Sequence, residues 1–198
     1  PEGDFANQMD ATNRMVATMA SIVVYWYKFS HEGLDIDLVN DEDTLAGHFL
    51  HILHGKTPSD LHRRVMDVSL ILYAEHEFNA STFTARVCAS TMSDLHSCVV
   101  AAIGSLRGPL HGGANEKAME MIENWKTRDE ARENILSMLA NKEKIMGFGN
   151  AVYSERDPRN AVIKTYSKLL SEEFGDNSLY EVSDEVEKVM WDEKKLFA

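Results

Sequence analysis

Proline and cysteine are both scarce. Four prolines and 11 glycines in 198 residues exclude a linker-like or low-complexity chain. The two cysteines, Cys88 and Cys98, sit in apolar surroundings. Their spacing matches no metal or redox motif, and it predicts buried free thiols in a reducing compartment. Long apolar runs are missing too. None is longer than Ile22–Tyr27, far short of the ~20 residues that cross a bilayer, so no transmembrane helix or membrane partner is expected. The opening residues Pro1-Glu2-Gly3-Asp4 carry no basic segment, so no secretory signal is visible and a cytoplasmic location is expected. Basic residues are outnumbered. Twenty Lys and Arg against 32 Asp and Glu give a net charge of −12, which excludes a general nucleic-acid backbone binder. A local basic pocket for an anionic ligand survives that balance. What remains is an ordinary globular composition, 44% hydrophobic and 26% charged, long enough for one domain or two small ones.

Helical periodicity dominates the chain. Phe5, Met9, Val16, Met19, Val23, Trp26 and Phe29 recur every three to four residues, predicting one helix over 5–30. Its second half is apolar all round, which predicts burial on most sides. Asp41 or Asp43 can cap a second helix that Gly55 ends. Pro58-Ser59 opens a third, with Leu61, Val65, Val68 and Leu72 on one face. Leu95, Val99, Ala102, Ile103 and Leu106 form another, stopped by Gly108-Pro109. Thr127-Arg128-Asp129-Glu130 is a capping box, and Asp157-Pro158 supplies a cap and a first-turn proline. Leu179, Val182, Val186 and Val189 carry the last helix. Its flank, from Glu172 to Glu193, has Lys188 as its one base before Lys194 and reads as a solvated acidic face. No strand-like alternation is present, so the fold class is all-α. Helices before residue 108 are apolar and those after it more charged, which fits either a core and a periphery or two lobes with a hinge near 108.

Several clusters could carry chemistry. His48, His51 and His54 share a helix, but the outer two are turned about 240° from each other around its axis, so that they point about 120° apart. They read as polar positions filled by histidine, and no metal site is expected. Gly147-Phe148-Gly149 is half of a glycine-rich phosphate loop, without the third glycine or a preceding strand. A loop of small residues can still bring backbone N–H groups to a ligand. Glu75-His76-Glu77-Phe78-Asn79-Ala80-Ser81-Thr82 gathers two carboxylates, an imidazole and an amide at a helix end; alone, it reads equally as surface polarity. Gly108-Pro109-Leu110-His111-Gly112-Gly113-Ala114-Asn115-Glu116 sets a histidine between a proline turn and two glycines, just ahead of a helix. The helix N-terminus favours a neutral imidazole, a good hydrogen-bond donor to a carbonyl. A plain histidine in a tight turn fits the same residues.

These segments resemble the citrate synthase family. Gly108-Pro109-Leu110-His111-Gly112-Gly113-Ala114-Asn115 resembles its G-P-x-H-G-x-A-N motif, and Glu75-His76-Glu77 through Thr82 its H-E-x-N-A-S-T segment. Gly147-Phe148-Gly149-Asn150-Ala151-Val152-Tyr153, continuing to Asp157-Pro158-Arg159, resembles G-[YF]-G-H-x-V-[YL] followed by D-P-R. The motifs stand in family order and cover nearly the whole chain. Tyr73, Tyr25-Trp26-Tyr27 and the run from Tyr73 to Asn79 are similar to the 2-methylcitrate synthase branch. The resemblance implies an all-α homodimer with a large and a small domain. Residues 1–108 would be large-domain helices and 109–198 most of the small domain. The implied reaction condenses an acyl-CoA, propionyl-CoA or acetyl-CoA, with oxaloacetate and then hydrolyses the thioester. No cofactor is implied, because the CoA thioester is a substrate. By the same resemblance His111 donates to the thioester oxygen. His76 and Arg159 bind oxaloacetate, and Tyr73, three residues before His76, is a further substrate-binding residue. The backbone of Ile145, Met146, Gly147, Phe148 and Gly149 contacts CoA.

Three departures accompany the match. The family histidine that polarises the oxaloacetate ketone is Asn150 here, which can donate a hydrogen bond but supplies neither a proton nor a positive charge. The family's general base, an aspartate, is expected beyond Lys195-Leu196-Phe197, where the sequence given stops. The N-terminal helices and a C-terminal arginine of the family are likewise expected outside these 198 residues. The chain as given is therefore expected to be an incomplete and inactive portion of such an enzyme. The rival expectation is a non-catalytic relative or a CoA-binding helical module, and Asn150 is the residue that favours it.

Overall fold

The structure, a computed structural model, describes residues 5–149, 153 and 155–198. Among these the elements are all helical: α1 Phe5–Tyr27, α2 Leu45–His54, α3 Asp60–Tyr73, α4 Ala80–Ser90, α5 Leu95–Leu106, α6 Gly113–Ile122, α7 Arg128–Ala140, α8 Pro158–Phe174 and α9 Ser178–Lys194, with a π-helical turn, Lys28–Glu32, following α1. No described helix is long and apolar enough to cross a membrane. The chain forms two compact units, Pro1–Ala102 and Ile103–Ala198.

In the first unit α1 packs on α2, and α2 on α3. The helix expected over 5–30 changes register at Lys28. The Leu34 N–H donates to the Lys28 carbonyl, and the wide turn closes on Gly33 in the left-handed region. The expected burial of Ile22–Tyr27 on most sides does not hold within this chain. Val24 is buried, whereas Ile22 and Trp26 are 57% and 61% exposed. One neighbouring helix, α2, covers one stripe of α1 and leaves the rest bare. Thr44, rather than Asp41 or Asp43, caps α2: its hydroxyl accepts from the Gly47 N–H at 3.0 Å. Glu42 is drawn instead to Arg63, whose Nε and Nη2 donate to it at 2.8 and 3.2 Å. These bonds hold the Glu42 carboxyl below the ordinary carboxylate range against the opposing effect of burial, and His51 adds to the lowering. His48 lies 2.8 Å from the Ser21 hydroxyl and 2.9 Å from the Asn40 amide. Two of the three α2 histidines are thus structural links, and no group of metal-ligating side chains occurs among the described residues. Cys98 is buried and Cys88 half-buried, both as free thiols.

The second unit has its core between α7 and α9. Ala131 and Ile135 meet Val182, Val186, Val189 and Met190, and Ile145 from the following loop completes the cluster. Fully burying each aliphatic side chain contributes about 1.5–3 kcal/mol. Thr127 caps α7 by accepting from the Glu130 N–H at 3.2 Å. The reciprocal arm of the box goes one residue further back, where Glu130 accepts from the Lys126 N–H at 2.8 Å.

The acidic face of α9 is not a solvated one where it meets α7 and α8. Asp184 accepts from Arg128 Nη1 at 2.9 Å and pairs with Lys164 at 2.8 Å and Lys188 at 2.6 Å. Arg132 pairs with Glu185 at 2.7 Å, and Lys164 reaches Glu187 at 2.6 Å. Burial pushes the Asp184 carboxyl up, but the hydrogen bonds from Lys164, Lys188 and Arg128 outweigh it and hold the group far below the ordinary range. A depressed folded-state value means stability that is fully present above the unfolded value of about 3.9 and lost as pH falls below it. Asp184→Asn is therefore expected to lower unfolding stability by about 1–2 kcal/mol at pH 7, discounted because Lys188 and Arg128 face water. The gap to the parent should narrow steadily below about pH 4. Urea midpoints across pH 3–7 check this, and a gap independent of pH would contradict it.

Candidate functional site

Tyr73 and His76 belong to the first unit. Tyr73 is the last residue of α3 and its ring is largely exposed. His76 lies in the short connection to α4 and is half-buried. Asn79 fixes that connection. Its Oδ1 accepts from the N–H groups of Ser81 and Thr82 at 3.1 and 3.0 Å, capping α4, and from the Ser81 hydroxyl at 2.7 Å. Its amide nitrogen donates to the His76 carbonyl at 3.4 Å. Glu77 takes a left-handed backbone, φ 51°, and its N–H donates to the Glu75 carboxylate. Much of the polar cluster at 75–82 thus shapes backbone, and the imidazole of His76 is what that backbone presents.

His111 sits in the second unit, in a turn made of main-chain bonds. Its N–H and that of Gly113 both donate to the Gly108 carbonyl, at 2.9 and 3.2 Å, and its carbonyl accepts from the Ala114 N–H at 2.9 Å. The paired glycines are a packing requirement. A Cβ on Gly113 would lie 2.6 Å from the Arg107 carbonyl oxygen, and one on Gly112 2.7 Å from that of Leu106. The chain doubles back so tightly that no side chain fits, and α6 starts directly after. His111 is carried at that helix N-terminus, half-buried.

The loop 145–149 is anchored at one end and shaped at the other. The Ile145 side chain is core, so only its backbone is available to a ligand. Gly147 and Gly149 take φ 91° and 81°, values that L side chains resist. Met146, Gly147 and Phe148 line a cavity of about 270 Å³ within the second unit, with Met121 of α6, Ile163 of α8 and Tyr180 of α9 among its walls. Lys164, Asp184 and Glu187 provide its charged side. Asn150 lies outside the described residues, as do Ala151, Val152 and Ser154.

Arg159 is the second residue of α8. Asp157 caps this helix, its Oδ1 accepting from the Arg159 N–H at 2.9 Å. The same carboxylate accepts from Arg159 Nε at 3.0 Å and from Nη2 at 2.6 Å. The guanidinium lies 5.8 Å from the centre of the Tyr153 ring, within range of a cation–π contact. Sequence reasoning assigned Arg159 but gave Asp157 only the cap. The signal was there in the spacing, since a capping carboxylate also reaches the side chain two residues on.

The family model for the C-terminal domain of citrate synthase matches residues 2–198. A 2-methylcitrate synthase from Shewanella oneidensis is 60% identical over 99% of this chain and 52% of its own length. A citrate synthase from Deinococcus radiodurans is 42% identical over 91% of this chain and 48% of its own. Among solved structures, a ternary complex of carboxymethyl coenzyme A and oxaloacetate with citrate synthase from Thermoplasma acidophilum superposes with a TM-score of 0.89 at 30% identity, covering 98% of this chain and 52% of that one. The chain thus spans about half the length of the relatives it matches.

Proposed function

The chain belongs to the citrate synthase family, and from that premise we propose that it serves the condensation of an acyl-CoA with oxaloacetate, followed by hydrolysis of the thioester. The α-hydrogen of an acyl thioester is a very weak acid. Its removal requires a carboxylate base together with a donor on the thioester oxygen. His111, held on a rigid backbone turn, is that donor. The enol so formed attacks the ketone carbon of oxaloacetate, whose oxygen becomes the product hydroxyl. Water then cleaves the thioester and releases CoA. Arg159 forks onto a carboxylate of oxaloacetate, His76 donates to it, and the 145–149 backbone contacts CoA. Residues 1–108 act as large-domain helices and 109–198 as most of the small domain. The exposed apolar side chains of α1 and of the π-helical turn after it, Trp26 and Phe29 among them, support a homodimer, which a monomeric mass in sedimentation would overturn. The observation that carries the reading is the occurrence of all three family motifs in order, with His111 and Arg159 each fixed by local hydrogen bonds.

We place the preferred thioester at propionyl-CoA. Tyr73 beside His76 and the 60% identity to a 2-methylcitrate synthase support this. One extra methylene is worth only about 1–3 kcal/mol of discrimination, so the preference is modest. Steady-state CoA release by the full-length protein is expected to give kcat/KM for propionyl-CoA at least equal to that for acetyl-CoA. A strong preference for acetyl-CoA moves the protein to the citrate-forming branch. Oxaloacetate binding without CoA release from either thioester supports the second reading, a non-catalytic relative, which Asn150 favours.

A further inference from the structure

Arg159 is held in a way its ligand role alone does not require. Asp157 accepts from three of its nitrogens: the main-chain N–H at 2.9 Å, Nε at 3.0 and 3.2 Å, one to each carboxylate oxygen, and Nη2 at 2.6 Å. The residue that starts α8 therefore also fixes the plane of the guanidinium. The side chain is further confined by Tyr153, 5.8 Å away. Arg and Asp are 24% and 11% exposed, so the pair is only partly open to water.

We propose that Asp157 is a positioning residue for oxaloacetate recognition, locking the Nε–Nη2 edge of Arg159 so that the opposite edge of the guanidinium faces the anion. This rests on the reading of Arg159 as an oxaloacetate ligand. The physical case is geometric. A guanidinium is a planar fork, and a carboxylate that takes one edge turns the other, Nη1 and the outer Nη2 proton, away from itself. That second edge is the one suited to a bidentate grip on a carboxylate substrate. An arginine on a flexible stem must otherwise give up its rotamer freedom when the anion binds. Asp157 has a contrary effect, because its negative charge repels the same anion. The positive guanidinium lies between the two carboxylates and offsets much of that repulsion, whereas nothing replaces a lost orientation. The orienting effect wins.

The test separates the cap from the lock. Asparagine and serine are both good helix caps, but neither carries the charge of the fork. Oxaloacetate binding is measured by calorimetry on the full-length protein without acyl-CoA, so that no turnover is needed. Asp157→Asn and Asp157→Ser are expected to leave Tm and helix content near the parent values while weakening oxaloacetate about 5–10-fold. Arg159→Gln should weaken it at least tenfold. In the Arg159→Gln background, Asp157→Asn should add less than twofold, since a residue that acts through Arg159 has nothing left to position. Unchanged or tighter binding in both Asp157 variants, alongside weaker binding in Arg159→Gln, overturns the proposal while keeping Arg159 as ligand. So does an Asp157→Asn effect undiminished in the Arg159→Gln background. Unchanged binding in Arg159→Gln itself overturns the ligand reading and the proposal with it.

Discussion

Replacing His111 by alanine in the full-length protein is expected to lower kcat by about 10²–10³-fold, with little change in the oxaloacetate KM. The thioester oxygen gains negative charge as the α-proton leaves, and removing one donor aimed at such an oxygen typically costs about 3–4 kcal/mol of barrier. The structural reason to expect a clean result is the turn that carries the residue. Gly108, His111, Gly113 and Ala114 are joined through main-chain groups, and these bonds do not depend on which side chain stands at 111. The glycine pair that lets the chain pass close to Arg107 and Leu106 is also untouched. Tm should therefore stay close to the parent's, within about 1 kcal/mol of stability. A variant that keeps more than a tenth of the parent kcat would remove His111 from the chemistry. A fall in kcat that tracks a fall in Tm would make it a structural residue.

Features set by neighbouring residues were legible in the sequence. Ser59, Thr127 and Asp157 start α3, α7 and α8 as a cap-and-period reading expects, because an N-cap bond spans only two or three residues. Gly55 ends α2 in the left-handed conformation for the same local reason. What escaped was set by distant partners. Thr44 caps α2 with Glu42 nearby committed to Arg63, 21 positions away, and no window of sequence holds both. The acids of α9 read as a solvated face because their cations, Arg128, Arg132 and Lys164, lie on α7 and α8. One local feature escaped as well: Asn79 caps α4 and bonds back to the His76 carbonyl, all within three residues, but so many polar side chains crowd 75–82 that the cap does not stand out among them.

The candidate site divides along the same line. Composition, charge and periodicity lead only to an acidic helical protein. His111 and Arg159 become specific through the motifs around them, since an imidazole in a glycine turn or an arginine after a proline has many uses. Their local geometry then supplies what the motifs lack. The His111 turn is rigid because of Gly112 and Gly113, and Arg159 is aimed by the carboxylate that caps its helix.

Asn150→His in the full-length protein is expected to raise kcat at least tenfold, with a smaller change in the oxaloacetate KM. The ketone oxygen of oxaloacetate becomes anionic as the carbon–carbon bond forms. An imidazole can meet that charge with a proton or a positive charge, whereas the Asn150 amide offers only a neutral donor. Charge-assisted hydrogen bonds are about twice as strong as neutral ones, and a missing donor of this kind typically costs about 10²–10³ in rate. The asparagine retains part of that, so the expected gain begins at tenfold rather than at the full range. Binding should suffer less because the ground-state ketone is neutral and, on the function proposed above, the carboxylates of oxaloacetate are met by side chains other than that of Asn150. The backbone before position 150 is shaped by Gly147 and Gly149 at positive φ, so the exchange of one side chain leaves the form of the loop to those glycines. CoA release by the two proteins, assayed side by side, decides the matter. If the parent already turns over as fast as Asn150→His, the amide itself serves the ketone, and electrostatic support for that oxygen comes from other groups.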